Sequence, residues 1–451
     1  MGIRLDWEIE AEQEHHQQSG GEDPETRRKR RRARLRFLLV LFVMLALIGS
    51  VVGAVILRLR QVDWQMEQLL RDTVNAEVAA LRLGDHTIYL DMQRSATNDW
   101  LQRQDANFAR YQTLKQTHNL NLSGRIINAT VDGQRGRVEL EEIIDGVPYG
   151  RVWFYWRYDD GWRHVPPDYT FWGDAKTADE SGVTVSYRAV DEAVAQTAAS
   201  AMSEWLKVGC AALNCNPPHL NVEIVPTEGL TINWSANDLW TMELPSPLID
   251  SMRLDQPFDI GMQINAANLL AERLVGNFSP AYPADAYYLR QAIVSWLVKR
   301  FAQVETNSFL ISSLAEKYGD PAVGRLLSIL QPDSNAGVIS QITGTALDLS
   351  NLDWRDFLTW RLTVENELIA RQDEANFLAL YNTSDDYARG QAYSRYAAGA
   401  SGDPQTVISA ISERDTNNRP QLRAVVQVGD PVKRQDEVIF RLIDGVWKRA
   451  S

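Results

Sequence analysis

Residues 37–57 read FLLVLFVMLALIGSVVGAVIL and contain no charged side chain. A helix rises about 1.5 Å per residue, so this run would be roughly 31 Å long, enough to cross the hydrocarbon core of a bilayer. We therefore predict a transmembrane helix over residues 37–57. A short charged tail precedes it, and a large exported part follows it.

The basic residues on either side of this run predict its orientation. RRKRRRARLR occupies residues 27–36, whereas only Arg58 and Arg60 follow closely on the other side. Because Lys and Arg concentrate on the cytoplasmic side, we expect the basic tail, residues 1–36, inside the cell and disordered, and the C-terminal domains outside. A cleaved signal peptide is the alternative, but it would have a shorter apolar core and a shorter leader.

Length and charge limit the function classes. The chain has 451 residues and a formal net charge of −13, and the part after residue 60 carries about −16 because residues 1–60 hold eleven basic and eight acidic side chains. An acidic exterior disfavours nucleic acid as a partner. The basic run itself lies against the predicted membrane segment, where topology and anionic lipid explain it. The exported part is too long for one core, so two or three domains are expected.

The two cysteines, Cys210 and Cys215, both lie on the exported side. In an oxidising compartment this spacing favours one small disulfide loop. Free thiols, or a metal site that also uses His219, are the alternatives. Three ligands without a fourth nearby make a weak metal site, so we predict no metal and no cofactor.

The first exported segment, residues 58–173, changes from helical to strand periodicity. Apolar residues recur at helical spacing over residues 62–81, which indicates the first helix of a domain or a short membrane-proximal coiled coil. A second helix is expected over residues 98–116. Period-two patterns then predict strands over residues 126–131, 137–144 and 151–158, followed by a turn into Trp162.

Helices followed by a curved antiparallel meander with an aromatic last strand resemble the cone-shaped ketosteroid-isomerase or nuclear-transport-factor-like fold. The resemblance implies a pocket between helix and sheet, used by enzymes and by binding domains alike. Candidate pocket residues are Asp85, Tyr89 and Asp91, although surface positions suit them better, and the isomerase carboxylates are not identifiable. The histidines His86, His118 and His164 could meet in this pocket, but separate positions are the simpler interpretation. The tryptophans Trp153, Trp156 and Trp162 could stack on a ligand there, but an aromatic core is the simpler interpretation.

The C-terminal segment, residues 361–451, repeats this pattern. ANFLALYNTS at residues 375–384 is similar to HTIYLDMQRS at residues 86–95, and both segments end with a D-G turn followed by Trp and a basic residue. Agreement in order across helices and the last hairpin predicts a second, smaller cone-like α+β domain.

The middle segment, residues 180–360, has strands, then a pair of helices that contain NLLAERLVG (268–276) and YYLRQAIVSWLVKRF (287–301). This order resembles the gluzincin, or thermolysin-like, metallopeptidases. In that family an HExxH helix supplies two His ligands and a general-base Glu, and the next helix supplies a Glu ligand.

In this sequence the residues at the family's ligand positions are not zinc ligands. The two His positions are Ala271 and Val275, the general-base position is Glu272, and the ligand Glu is replaced by Gln291. Aliphatic side chains donate no lone pair to zinc, and without metal Glu272 has no water to activate. The resemblance implies a peptidase fold without its chemistry; ordinary amphipathic helices are the alternative, and both interpretations exclude zinc hydrolysis.

We therefore expect an α+β protein with one transmembrane helix, a cone-shaped domain, a mostly helical degenerate metallopeptidase-like domain and a second cone. The expected function is binding or scaffolding outside a bacterial-type cell membrane, without catalysis, with peptide, protein or envelope polymer as partner. The alternative is an enzyme that acts on a small molecule in the first cone. A dimerising juxtamembrane helix that signals inward is a third hypothesis.

Overall fold

The computed structural model describes residues 24–276, 280, 282–343 and 352–450. The mixed α+β class is confirmed. The helices are α1 Pro24–Leu83, α2 His86–Asp91, α3 Asn98–Thr117, α4 Glu192–Leu213, α5 Ile260–Val275, α6 Asp285–Ala302, α7 Phe309–Tyr318, α8 Pro321–Ile329, α9 Ser340–Thr343, α10 Arg355–Ala370, α11 Glu374–Ala379 and α12 Asp386–Ala397. Short 3₁₀ turns occupy Tyr169–Phe171, Ala189–Asp191, Pro247–Ile249 and Ala336–Ile339.

The strands form three sheets. They are β1 Leu120–Asn121, β2 Ile126–Asp132, β3 Arg135–Ile144, β4 Val147–Tyr158, β5 Gly161–Val165, β6 Ala175–Glu180, β7 Val183–Arg188, β8 Leu220–Val225, β9 Asn233–Trp234, β10 Thr241–Pro245, β11 Met252–Arg253, β12 Gln405–Arg414, β13 Pro420–Val428, β14 Arg434–Ile443 and β15 Val446–Arg449. The first sheet has the order β1-β3-β4-β11, with β2 on β3 and β5 on β4; the second has the order β6-β7-β8-β10-β9; the third is β12-β13-β14-β15.

Helix α1 is one uninterrupted helix of 60 residues that includes the predicted transmembrane segment. Its apolar part is long enough to cross a membrane, and none of its most apolar window is buried. Residues 24–36, which we predicted to be disordered, are helical, because Arg and Lys are good helix formers and extend the helix from the apolar run. Residues 1–23 of the predicted tail lie outside the described residues.

Contacts divide the chain into two compact units. The first unit comprises the described residues up to Phe108 with Asn128–Val138 and Phe154–Val165, and the second comprises Ala109–Ile127, Glu139–Trp153 and everything from Pro166. The second unit thus contains both the predicted peptidase-like segment and the predicted second cone.

The core of the first unit is built on the last five turns of α1. Its buried apolar side chains are Leu70, Val74, Val78, Leu81, Tyr89, Trp100, Phe108, Val138, Phe154, Tyr155 and Trp162. Gly136 brings β3 close to this helix, since a Cβ there would lie 2.9 Å from Leu70 Cδ2. Val62 and Leu69, which share the predicted helical spacing, are exposed instead.

The second unit contains two further layers of structure. In the five-stranded sheet β7, β8 and β10 are parallel, whereas β6 and β9 run antiparallel at its edges. Helix α4 packs on this sheet, and α5 and α6 pack on each other and on α4. The third sheet is an antiparallel meander, against which α10 packs at β12.

The end of α10 repeats the end of α1 with a constant offset of 288 residues. Gly84 and Gln372 both have positive φ, and Asp85 and Asp373 both cap the following short helix with their side chains. The predicted alignment of residues 86–95 with residues 375–384 was therefore wrong by one residue. The capping carboxylate, not the apolar pattern, fixes the register of this repeat.

Candidate functional site

The two helices that carry the degenerate motif, α5 and α6, pack side by side. Ala271 is fully buried and Val275 is nearly so, which places both side chains on the buried face of α5. Glu272 and Gln291 are half-buried. The amide of Asn268 donates a weak hydrogen bond of 3.4 Å to Glu272 Oε1.

These side chains have little capacity for metal chemistry. Two methyl-bearing side chains and one neutral amide leave a single carboxylate as a strong oxygen donor, whereas catalytic zinc takes three protein ligands. Among the described residues no group of three or more His, Cys, Asp or Glu side chains is arranged to hold a metal ion.

An edge strand lies next to α5. Strand β9 pairs only with β10 in the described sheet, with Trp234 opposite Met242 and Asn233 opposite Glu243. The guanidinium of Arg273 lies 4.3 Å from the centre of the Trp234 ring, so α5 borders this edge. An unpaired edge offers backbone N–H and C=O groups to an extended peptide.

Aromatic and apolar groups surround this edge. The rings of Trp234 and Trp240 meet edge to face with their centres 5.9 Å apart, and both side chains are half-buried. Leu239, between them in the chain, is 71% exposed. With Arg273 they form a partly exposed group of aromatic, apolar and cationic side chains, the residue types that are enriched at binding hot spots.

Cys210 and Cys215 form a disulfide at the C-terminal end of α4. Asn214 adopts the left-handed conformation that ends the helix, and the Cys215 N–H donates to the carbonyl of Cys210. The bridge therefore closes a helix end that is also fixed by its own hydrogen bonds. His219 lies elsewhere, with Nε2 3.2 Å from the Thr184 hydroxyl.

A buried polar network that the sequence analysis missed lies in the core of the first unit. Glu77 of α1 is fully buried, and its Oε1 lies 2.7 Å from both Gln93 Nε2 and His164 Nδ1. The Tyr155 hydroxyl donates to Glu77 Oε2 at 2.8 Å. The signal was present in the sequence, because Glu77 interrupts the apolar helical stripe between Val74 and Val78.

Burial and the nearby Glu77 carboxylate hold the pKa of Tyr155 well above its ordinary value, so the phenol keeps its proton and donates it. The Tyr155 ring also stacks on the His164 ring with their centres 5.0 Å apart, and the Trp100 ring meets the same imidazole edge to face at 5.2 Å. The arrangement holds one carboxylate with three donors in an apolar setting.

The structure separates the three predicted pocket histidines. His164 belongs to the buried network, whereas His86 pairs with Asp105 at 2.6 Å and His118 pairs with Asp145 at 2.7 Å, and both of these pairs are exposed. They are separate positions, as the simpler interpretation held.

The other predicted pocket residues have three different environments. Asp85 caps α2 and Asp91 is exposed, whereas Tyr89, expected at the surface, is fully buried and donates to Gln104 Oε1 at 2.6 Å. Among the tryptophans, Trp153 and Trp162 are buried core residues and Trp156 is 37% exposed.

The second unit holds a network equivalent to that of Glu77. Glu365 of α10, 288 residues further on, is buried and accepts from the Tyr381 hydroxyl at 3.2 Å and from Arg449 at 2.8 Å. In both repeats the last-strand residue that contacts the glutamate also forms a β-bridge with the segment after the short helix. His164 pairs with Gln93, and Arg449 pairs with Tyr381. The first repeat thus has a histidine where the second has a permanent cation.

No protein family, curated protein or solved structure matches this chain.

Proposed function

We propose that this protein is a membrane-anchored binding protein whose extracytoplasmic part binds an extended peptide at a degenerate peptidase-like domain and does not hydrolyse it. The observation that carries the proposal is the pairing of α5 and α6, with buried Ala271 and Val275 at two motif positions, beside the unpaired edge strand β9. In this proposal the domain keeps a peptide-binding edge after the loss of its metal ligands.

The order of elements supports the comparison with gluzincins. A mixed sheet precedes the helix pair, and α5 and α6 are adjacent, as shared ligation of one ion would demand of active relatives. At the motif positions only Glu272 retains an ionisable side chain. A carboxylate without zinc has no acidified water, so binding remains and hydrolysis does not.

Membrane anchoring completes the proposal. Helix α1 carries an apolar segment long enough to cross a bilayer, and the basic residues lie before it, which favours a cytoplasmic N-terminus. The cone-like interpretation of both flanking segments is supported by their shared order of helices followed by antiparallel strands. We therefore assign binding or scaffolding at the outer face of a bacterial-type membrane.

Peptide binding is tested with the full chain in nanodiscs and a library of fluorescent ten-residue peptides, read by anisotropy. We expect a subset of extended, apolar peptides to bind, and Trp234→Ala to weaken them at least about tenfold, since central aromatic contacts are worth 1.4 kcal/mol or more. Ile411→Ala, which removes an exposed apolar side chain from β12, is the matched control and should not change binding. Binding that survives Trp234→Ala and backbone N-methylation of the peptide would contradict the proposed edge.

The buried Glu77 network favours a second candidate, an enzyme acting on a small molecule in the first unit. A carboxylate beside an imidazole and a phenol is a set that proton-transfer reactions use. A thermal-shift screen of small metabolites tests it, with His164→Asn as the comparison. A metabolite that stabilises the native chain and not the variant, and that is chemically altered, would favour this candidate.

A further inference from the structure

Residues 58–65 of α1 lie between its apolar segment and Met66, where the buried core of the first unit begins. All side chains of residues 58–65 are exposed around the whole circumference of the helix, and burial begins at Met66. We infer that residues 58–65 form a collar that binds phospholipid headgroups and holds the first unit directly on the bilayer surface. This inference rests on the proposed membrane anchoring.

The length of the collar supports this assignment. Eight residues of helix span about 12 Å. The headgroup layer of one leaflet is roughly 5–8 Å thick. Only a few ångströms of helix remain between the headgroups and Met66, and α1 has no break that would let the unit swing away.

The side chains of the collar match a headgroup layer. Arg58 and Arg60 are exposed and make no ion pair within the described residues, so their guanidinium groups are available for lipid phosphate. Trp64 is 61% exposed, an unusual position for so large a ring in water, and tryptophan concentrates at membrane interfaces. Leu59, also exposed, lies two residues after the apolar segment, near the depth where the acyl region would end.

The occupant is the outer-leaflet phospholipid rather than a second copy of the chain. The collar is continuous with the apolar segment, so any membrane that surrounds residues 37–57 must also surround its next turn. Arg58 and Arg60 outnumber Asp63, the one acidic residue of the collar, so the collar keeps a positive charge for phosphate, whereas the rest of the exported part is acidic. A second copy would bring the same two arginines into contact with each other.

A spin-label scan tests the collar on the full chain in phosphatidylcholine nanodiscs with one copy per disc. Single cysteines are introduced at each position from 45 to 70, and each label is measured for collisions with oxygen and with a water-soluble nickel chelate. We expect oxygen to dominate up to 57, both reagents to be restricted over residues 58–65, and an ordered spectrum throughout.

Two variants sharpen the scan. The triple variant Arg58→Ser, Arg60→Ser, Trp64→Ser should raise the nickel collisions of a label at Gln61 severalfold. The control Leu69→Ser, which changes an exposed apolar residue beyond the collar, should not raise them. A mobile, nickel-accessible collar with a lipid-protected apolar segment would overturn the inference and leave the anchor intact. An apolar segment that nickel reaches would overturn the anchor itself. Protection that appears only with two copies per disc would identify a second copy as the occupant and also overturn the inference.

Discussion

Two buried glutamates show how the same position takes different partners. Removing a carboxylate from water is costly, and the cost falls only if donors replace the lost hydration. Arg449 supplies a charge to Glu365, whereas Glu77 relies on Gln93, Tyr155 and His164. The first unit therefore depends on several weaker donors at once.

Glu77→Gln should destabilise the first unit by about 1–3 kcal/mol, because the new amide group faces donors that had a carboxylate oxygen. Hydrogen exchange of the amides in β5, read by mass spectrometry, measures the local opening free energy. Glu67→Gln is the control: its ion pair with Arg71 is partly exposed, and its loss should change stability by no more than about 0.5 kcal/mol. Equal effects of the two variants would contradict the role assigned to Glu77.

Asp356 should make the second unit less stable as pH rises. Burial raises the pKa of its carboxyl to about 6 against hydrogen bonds from the Leu310 and Phe357 N–H groups. A folded pKa above the unfolded value gives stability that is complete below about pH 4 and is lost as pH rises through 6. The loss is on the order of 3 kcal/mol.

Asp356→Asn removes this titration. The free energy of unfolding of the variant, measured in urea, should therefore rise relative to that of the native chain between pH 4 and pH 7. Asp386→Asn, at an exposed position, provides the control and should follow the native chain at every pH. A stability difference between Asp356→Asn and the native chain that stays constant over this pH range would refute the assignment.

For single residues, the sequence predicts the chemistry of a side chain better than it predicts whether the side chain is buried. That Ala271, Val275 and Gln291 are poor zinc ligands follows from their side-chain types alone, whereas their assignment to peptidase motif positions stays a prediction. The burial of Tyr89 was not predicted, because a tyrosine on a six-residue helix gives no periodic signal. The burial of Glu77 was not predicted either, because its three hydrogen-bond partners come from other parts of the chain.

At the scale of elements, removing the disulfide measures how much it stabilises the C-terminal end of α4. Cys210→Ser with Cys215→Ser should cost about 2 kcal/mol, the loop-closure entropy expected for so short a loop. Urea unfolding of the native chain under a reductant should give the same loss. A loss near zero in both would mean that the hydrogen bonds at the end of α4 already restrain the loop.

Long amphipathic elements were predictable, and short or polar ones were not. Helix α3 begins at the predicted residue 98 and ends one residue after the predicted 116, and β4 includes the whole predicted strand over residues 151–158. Strands β6 and β12 and helix α12 were missed because β6 is almost wholly polar and the others mix small and polar residues. Predicted separate helices over residues 37–57 and 62–81 are one helix, since Arg58 to Gln65 contain no Gly or Pro to break it.

For the whole molecule, orientation is the first prediction. Native cysteines are joined in a disulfide, so single cysteines at Ser19 and Asn417 give selective labels. In intact bacterial cells a membrane-impermeant maleimide should react at position 417 and not at 19, because the basic run favours a cytoplasmic N-terminus. The reverse pattern would contradict the proposed topology.

The most direct test of the proposed function combines zinc content with the fate of a bound peptide. The full chain is incubated with equimolar zinc and a peptide from the library, desalted, and measured for bound metal and for peptide mass. We predict that no zinc is retained by the α5–α6 pair and that the peptide is recovered intact. One zinc per chain with cleaved peptide, and cleavage that is lost in Glu272→Gln, would contradict the account.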